Sequence, residues 1–122
     1  MFTVTKDFRF EAAHQLEHLG PDHKCANLHG HSYRFTVECT GPTDSRGFVI
    51  DYAEISEIVN PFVEMLDHKN LNEVDFLHGH TTAENIAHWL FSYIRHRLPI
   101  LSGIVFHETS TTSVIYRPND QG

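Results

Sequence analysis

At 122 residues the chain has room for one domain, 1–122, with a single core, since two domains of half that length would each be marginal. Hydrophobic residues at 40% and charged residues at 20% are ordinary for a globular protein, and no apolar run approaches the roughly 20 residues needed to cross a bilayer. A formal charge of -7 disfavours nucleic acid and anionic membranes as partners, because both reward a basic surface, but it leaves room for a small phosphorylated molecule that responds to local charge.

The opening MFTVTKDFRF lacks the basic start and apolar stretch of a secretory signal, so the cytoplasm is the expected compartment. Residues 2–14 read as a half-buried strand, with Phe8, Phe10, Ala12 and His14 on one face and Asp7, Arg9 and Glu11 on the other. Residues 15–30 carry Gly20, Pro21, Asp22, Asn27 and Gly30 without apolar periodicity and read as a long loop. Alternation returns from His31, which shares a face with Tyr33, Phe35, Val37 and Cys39 until the turn GPTDSRG. Asp51 and Glu54 have capping-box spacing ahead of a helix through Ile55, Val59, Phe62 and Leu66, which Pro61 should kink. A second helix starts near Thr81 or Thr82, with Thr81 and Glu84 spaced as a capping box, and Pro99 closes it. Two short strands follow, Ile104 to Glu108 and Val114 to Arg117. The order ββααββ predicts an α+β domain with a four-stranded antiparallel sheet and both helices on one face.

Eleven histidines are the outlier in composition. If the first two strands form a hairpin, His14 at the end of one lies beside the start of the other, and His29 and His31 project to the same side where the backbone is extended. Three neutral imidazoles suit Zn²⁺ and leave its fourth position open, the pattern of a catalytic site. His29-Gly30-His31 alone would be weak evidence, because capped or exposed loop histidines are common; the third histidine on the matching face strengthens it. His78-Gly79-His80 repeats the pattern without a strand to supply a third ligand and reads as a solvated loop.

Cys25 lies in the loop between the ligands, where a nearby cation would lower its pKa and make it a usable base; the competing reading, a small buried hydrophobe, suits Cys39 better. Asp67 and His68 follow the first helix and read either as an acid-base pair or as a charge pair at a helix C-terminus. Glu108 ends an apolar strand face and either meets a donor-rich ligand edge, pairs with an arginine of the fold or lies exposed at a frayed strand end.

The segments FEAAHQL, KCANLHGHSYRF, LDHKNLN, GHTTAENIAHWL and HETST, in this order across nearly the whole chain, resemble the 6-pyruvoyl-tetrahydropterin synthase family. Within it, Cys25-Ala-Asn-Leu-His29-Gly-His31 is most similar to the 6-carboxy-5,6,7,8-tetrahydropterin synthase branch of queuosine biosynthesis. The resemblance implies a tunnelling fold (T-fold), in which ββααββ subunits join their sheets into a barrel, commonly as homohexamers with active sites between subunits. It implies Zn²⁺ on His14, His29 and His31, Cys25 as the proton-abstracting base, Asp67 and His68 as an assisting catalytic dyad, and Glu108 as the anchor of the pterin ring. The implied reaction is a lyase conversion of 7,8-dihydroneopterin triphosphate to 6-carboxy-5,6,7,8-tetrahydropterin and acetaldehyde. Gln15 departs from the basic residue that often follows the first histidine, which leaves Lys24, Arg34 and Lys69 as candidate phosphate contacts. Three rival functions are an elimination of triphosphate that keeps the side chain, a zinc hydrolase using Glu11, and a histidine-rich metal-binding module without catalysis. Glu11 alternates away from His14, which counts against the hydrolase.

Overall fold

The computed structural model describes residues 1–118. Its elements are β1 (Phe2–His14), β2 (His29–Gly41), α1 (Tyr52–Leu66), β3 (Lys69–Asn70), α2 (Ala83–Arg97), β4 (Leu101–Thr109) and β5 (Thr112–Tyr116), with single 3-10 turns at Glu17–Leu19, Lys24–Ala26, Leu71–Glu73 and Asp75–Leu77. They form one sheet in the order β3-β1-β2-β4-β5. The sheet therefore has five strands rather than the four expected. β3 is two residues long and runs parallel to β1 at Ala12 and Ala13; a pair that short cannot display alternation.

The β1–β2 hairpin is the spine of the domain, antiparallel from Phe2 opposite Gly41 to His14 opposite His29. The second strand starts two residues earlier than its alternation suggests, because Gly30 interrupts the pattern while His29 is already paired. On the inner face Phe8 stacks on Phe35 with ring centroids 5.4 Å apart, and Phe10 on Tyr33 at 4.8 Å. Such pairs add about 0.5–1.5 kcal/mol each beyond the area they bury. Ile55 and Val59 of α1 and Ile86, Leu90 and Ile94 of α2 are all fully buried in the same core, so both helices cover one face. The other face, with Thr3, Thr5, Asp7, Arg9 and Glu11, is largely exposed and polar.

Both helices start on side-chain caps. Asp51 accepts from the Ala53 N–H at 2.8 Å, while Glu54 turns instead to Arg46 at 3.6 Å, so the capping box is half made. α1 then continues through Pro61 to Leu66. Thr82, not Thr81, caps α2 by accepting from the Asn85 N–H. This frees Thr81 for the site below. At the far end of the sheet, Arg117 donates to both oxygens of Glu38 at 2.7 and 2.8 Å, over Gly103, where a Cβ would collide with Glu38 Oε1. Among the described residues no helix is long and apolar enough to cross a membrane.

Candidate metal centre

The hairpin register brings three histidines together at one end of the sheet. His14 faces His29 directly, and His31, opposite Ala12, projects to the same side. Ring centroids are 4.6 Å apart for His14 and His29, 5.2 Å for His14 and His31, and 4.9 Å for His29 and His31. The rings meet edge to face, and one nitrogen from each lies within 4.8 Å of the other two.

Hydrogen bonds fix which nitrogen is offered. His14 Nδ1 donates to the Thr81 carbonyl at 2.8 Å and His29 Nδ1 to the Asn27 carbonyl at 2.7 Å. A carbonyl can only accept, so each Nδ1 carries the proton and each Nε2 keeps its lone pair. His14 Nε2 and His31 Nε2 are buried without a hydrogen-bond partner, an arrangement that costs about 1–3 kcal/mol per group if nothing binds there. Burial holds the His14 pKa below the ordinary imidazole value, outweighing the upward pull of the Thr81 carbonyl and Glu108. The neutral ring is the form that ligates metal. Two orphaned ring nitrogens, the matched tautomers of His14 and His29 and the depressed His14 pKa fit a divalent cation held by three imidazoles.

Glu108 and Cys25 join this centre. Glu108 Oε2 is 3.9 Å from His14 Nε2 and its Oε1 is 4.0 Å from His31 Nε2. Cys25 lies in the Lys24–Ala26 turn, where its N–H donates to His23 Nδ1 at 3.1 Å and its carbonyl accepts from the Leu16 N–H at 2.7 Å. A cavity of about 440 Å³ is lined by Lys24, Cys25, His29, His31, Glu108 and Thr109. Cys39, by contrast, is fully buried, and burial pushes its thiol up to about 11.

Asp67 and His68 lie elsewhere, at the outer edge of β1. Asp67 Oδ1 accepts from the Glu11 N–H at 2.9 Å and approaches His68 Nδ1 at 3.1 Å, while the His68 N–H donates to the Glu11 carbonyl at 2.6 Å. The Glu11 N–H, then the His68 ring, hold Asp67 below the usual carboxylate range. His68 adopts φ 59°, which turns two neighbouring side chains onto one site. Its ring is 79% exposed, in a second hollow of about 610 Å³ that Glu11, Ala12, Gly30 and Asn70 also line and that shares His31 with the first. Glu11 itself is exposed and accepts from Ser32 Oγ at 2.6 Å, on the face opposite the histidines. His78 and His80 are exposed, and His78 packs against Trp89.

Two site residues escaped the sequence reading. Thr81, 1% exposed, supplies the carbonyl that sets the His14 tautomer, a backbone role that no side-chain pattern reveals. Tyr33, also 1% exposed, forms the floor: its ring lies 5.4 Å from His31 and 6.0 Å from His14, edge to face, and its hydroxyl is buried without a partner. Burial, then the Glu108 charge, pushes that phenol above its ordinary range. Alternation had placed Tyr33 inward, two residues after a ligand, which was the available signal.

A mostly antiparallel sheet with three histidines converging at its end, flanked by a thiol and a carboxylate, defines a class of small domains whose histidines could hold a metal ion. The chain belongs to the 6-pyruvoyl tetrahydropterin synthase family, whose sequence model matches residues 3–119. It is 32% identical to the 6-carboxy-5,6,7,8-tetrahydropterin synthase of Haemophilus influenzae, over 96% of this chain and 99% of that protein. It is 35% identical to the 6-pyruvoyl tetrahydrobiopterin synthase of Drosophila melanogaster, over 93% and 78% of the two chains. The fold matches the 6-pyruvoyl tetrahydropterin synthase structure from Caenorhabditis elegans with a TM-score of 0.88 at 27% identity, covering 97% of this chain and 96% of that one. The domain is thus a T-fold.

Proposed function

We propose that this chain is a zinc-dependent lyase that converts 7,8-dihydroneopterin triphosphate, with water, to 6-carboxy-5,6,7,8-tetrahydropterin, acetaldehyde and triphosphate, in queuosine biosynthesis. The observation that carries the reading is the shared cavity: His29, His31 with its orphaned nitrogen, Cys25 and Glu108 line one space, and the orphaned His14 nitrogen lies 3.9 Å from the Glu108 carboxylate. The name of the Haemophilus influenzae relative, matched end to end, supports the carboxy product.

In this reading His14, His29 and His31 hold the Zn²⁺, which when bound acidifies the hydroxyls of the substrate side chain. Cys25, as the thiolate, takes the neighbouring carbon-bound proton. Glu108 accepts from the pterin amino group and ring N–H together, so the ring is fixed while the side chain reacts. Lys24, at the cavity rim, is the cation best placed for the phosphates. His68 lines a hollow that Cys25 does not, with Asp67 3.1 Å from its ring, so we assign the pair to the active site of a neighbouring subunit, where His68 relays protons and Asp67 orients it. The working form is then a homohexamer in the cytoplasm with sites at subunit interfaces.

Mass spectrometry of the products formed from 7,8-dihydroneopterin triphosphate by zinc-loaded protein tests the reading, with Cys25→Ala alongside. Carboxytetrahydropterin and acetaldehyde, lost in the variant with metal retained, are expected. A pyruvoyl product, as the name of the Drosophila relative would suggest, keeps the site and changes the reaction. No turnover by folded, metal-loaded protein sinks the lyase and leaves a metal-binding module.

A further inference from the structure

The Glu108 carboxylate straddles two of the three histidines, with one oxygen 3.9 Å from His14 Nε2 and the other 4.0 Å from His31 Nε2. Neither nitrogen has a hydrogen-bond partner, so no proton holds the carboxylate there. Ligands sharing a tetrahedral ion through bonds of about 2.0–2.2 Å stand about 3.3 Å apart. Each Glu108 oxygen is therefore within roughly 0.7 Å of that spacing from one of the two nitrogens. Its side chain is 30% exposed, and rotation about its own bonds covers such a distance. Three neutral imidazoles leave both charges of a dication uncompensated in a half-enclosed cavity. Among the described residues, no other carboxylate oxygen comes within 4.0 Å of these ring nitrogens.

Building on the zinc reading above, we infer that Glu108 is also a metal-site residue. In the substrate-free protein its carboxylate closes the fourth position of the ion from the His14 and His31 side. When the pterin enters, the carboxylate leaves the ion for the ring's amino and N–H donors, so recognition of the ring opens the position that the substrate side chain then needs. One carboxylate thereby couples ring binding to access at the ion, and a molecule lacking the pterin donor edge does not trigger the exchange.

Cobalt(II) is the probe, because its visible absorption reports the number and kind of ligands. Affinities for Co²⁺ and Zn²⁺ are measured by chelator competition at fixed pH for the wild type, Glu108→Gln, Cys25→Ser and His29→Ala, with circular dichroism to confirm that each is folded. Glu108→Gln is expected to bind both metals at least about 10-fold more weakly, since even losing an outer partner of a ligand costs about 10–100-fold, with altered cobalt bands. Titrating 7,8-dihydropterin, which has the ring's donor edge but no side-chain hydroxyls to bind the ion, is expected to move the wild-type bands toward those of Glu108→Gln and to leave the variant's bands unchanged. Equal affinities and identical bands in wild type and Glu108→Gln would overturn the inference while leaving the three-histidine centre standing. Bands that respond to Cys25→Ser and not to Glu108→Gln would also overturn it, in favour of the thiol. Failure of the wild type to bind either metal would instead overturn the zinc reading on which the inference rests.

Discussion

Tyr33 offers a sharp test of how the centre is built. Its hydroxyl is buried without a hydrogen-bond partner, while its ring stacks on Phe10 and lies 5.5 Å from Phe106. Tyr33→Phe keeps these ring contacts and removes only the orphaned oxygen. An unsatisfied buried polar group costs about 1–3 kcal/mol; the Glu108 charge nearby softens the penalty, so relief of about 1 kcal/mol is expected in the metal-free protein. With an unfolding entropy of about 2.1 cal/mol/K per residue over 122 residues, that corresponds to a Tm about 4 °C higher. Differential scanning calorimetry at one protein concentration measures the shift, and urea titration checks that the m-value is unchanged. A Tm that falls by a similar amount would refute the reasoning, because it would show that the hydroxyl has a partner in the folded protein.

Four other outcomes follow from the same geometry. Saturating zinc at 100 times its Kd should stabilise the wild type by about 2.7 kcal/mol, which thermal shift reads, and His29→Ala should abolish the gain. Glu38 is held below its ordinary carboxylate value by the hydrogen bonds from Arg117, so its contribution to stability is present above the unfolded value near 4.3 and fades as pH falls through the lower folded value. Gly103→Ala, whose methyl group would collide with that carboxylate, should flatten the acid limb of the stability curve measured by urea unfolding. If active sites are shared between subunits, mixing inactive Cys25→Ala and His68→Ala subunits, then unfolding and refolding them together, should restore part of the activity; no recovery would place all catalytic groups in one chain.

Much of this layout could be read before any coordinates, and the gaps have physical causes. β1 is bounded correctly because its alternation gives a strong period, and the inward position of His14 follows from it as that of His31 follows from the alternation of β2. The place of Asp67 and His68 was not legible, because it depends on a positive φ at a residue other than glycine and on backbone bonds to Glu11, 56 residues away in sequence. The cap of α2 fell one residue later than the Thr81–Glu84 spacing suggested, because Thr81 is engaged by His14 and by Asn72. Local pattern identifies elements; it does not report which long-range partner has already claimed a side chain or a carbonyl. Tyr33 illustrates the same limit, since an inward tyrosine reads as core until the histidines above it are in place.

The pairing of His14 with His29 along the hairpin bears on how this protein can change over generations. A single inserted or deleted residue within β1 or β2 would turn every later side chain to the opposite face, emptying the core and scattering the ligands in one event. The segment 15–28 between the strands carries no such phase, so a residue gained or lost there leaves the strand register alone, provided the Asn27 carbonyl still meets His29 Nδ1. Cys25 lies on that tolerant stretch, and the three histidines stand on the intolerant one. The basic chemistry of the loop is therefore free to diversify around a centre whose geometry is inherited with the fold.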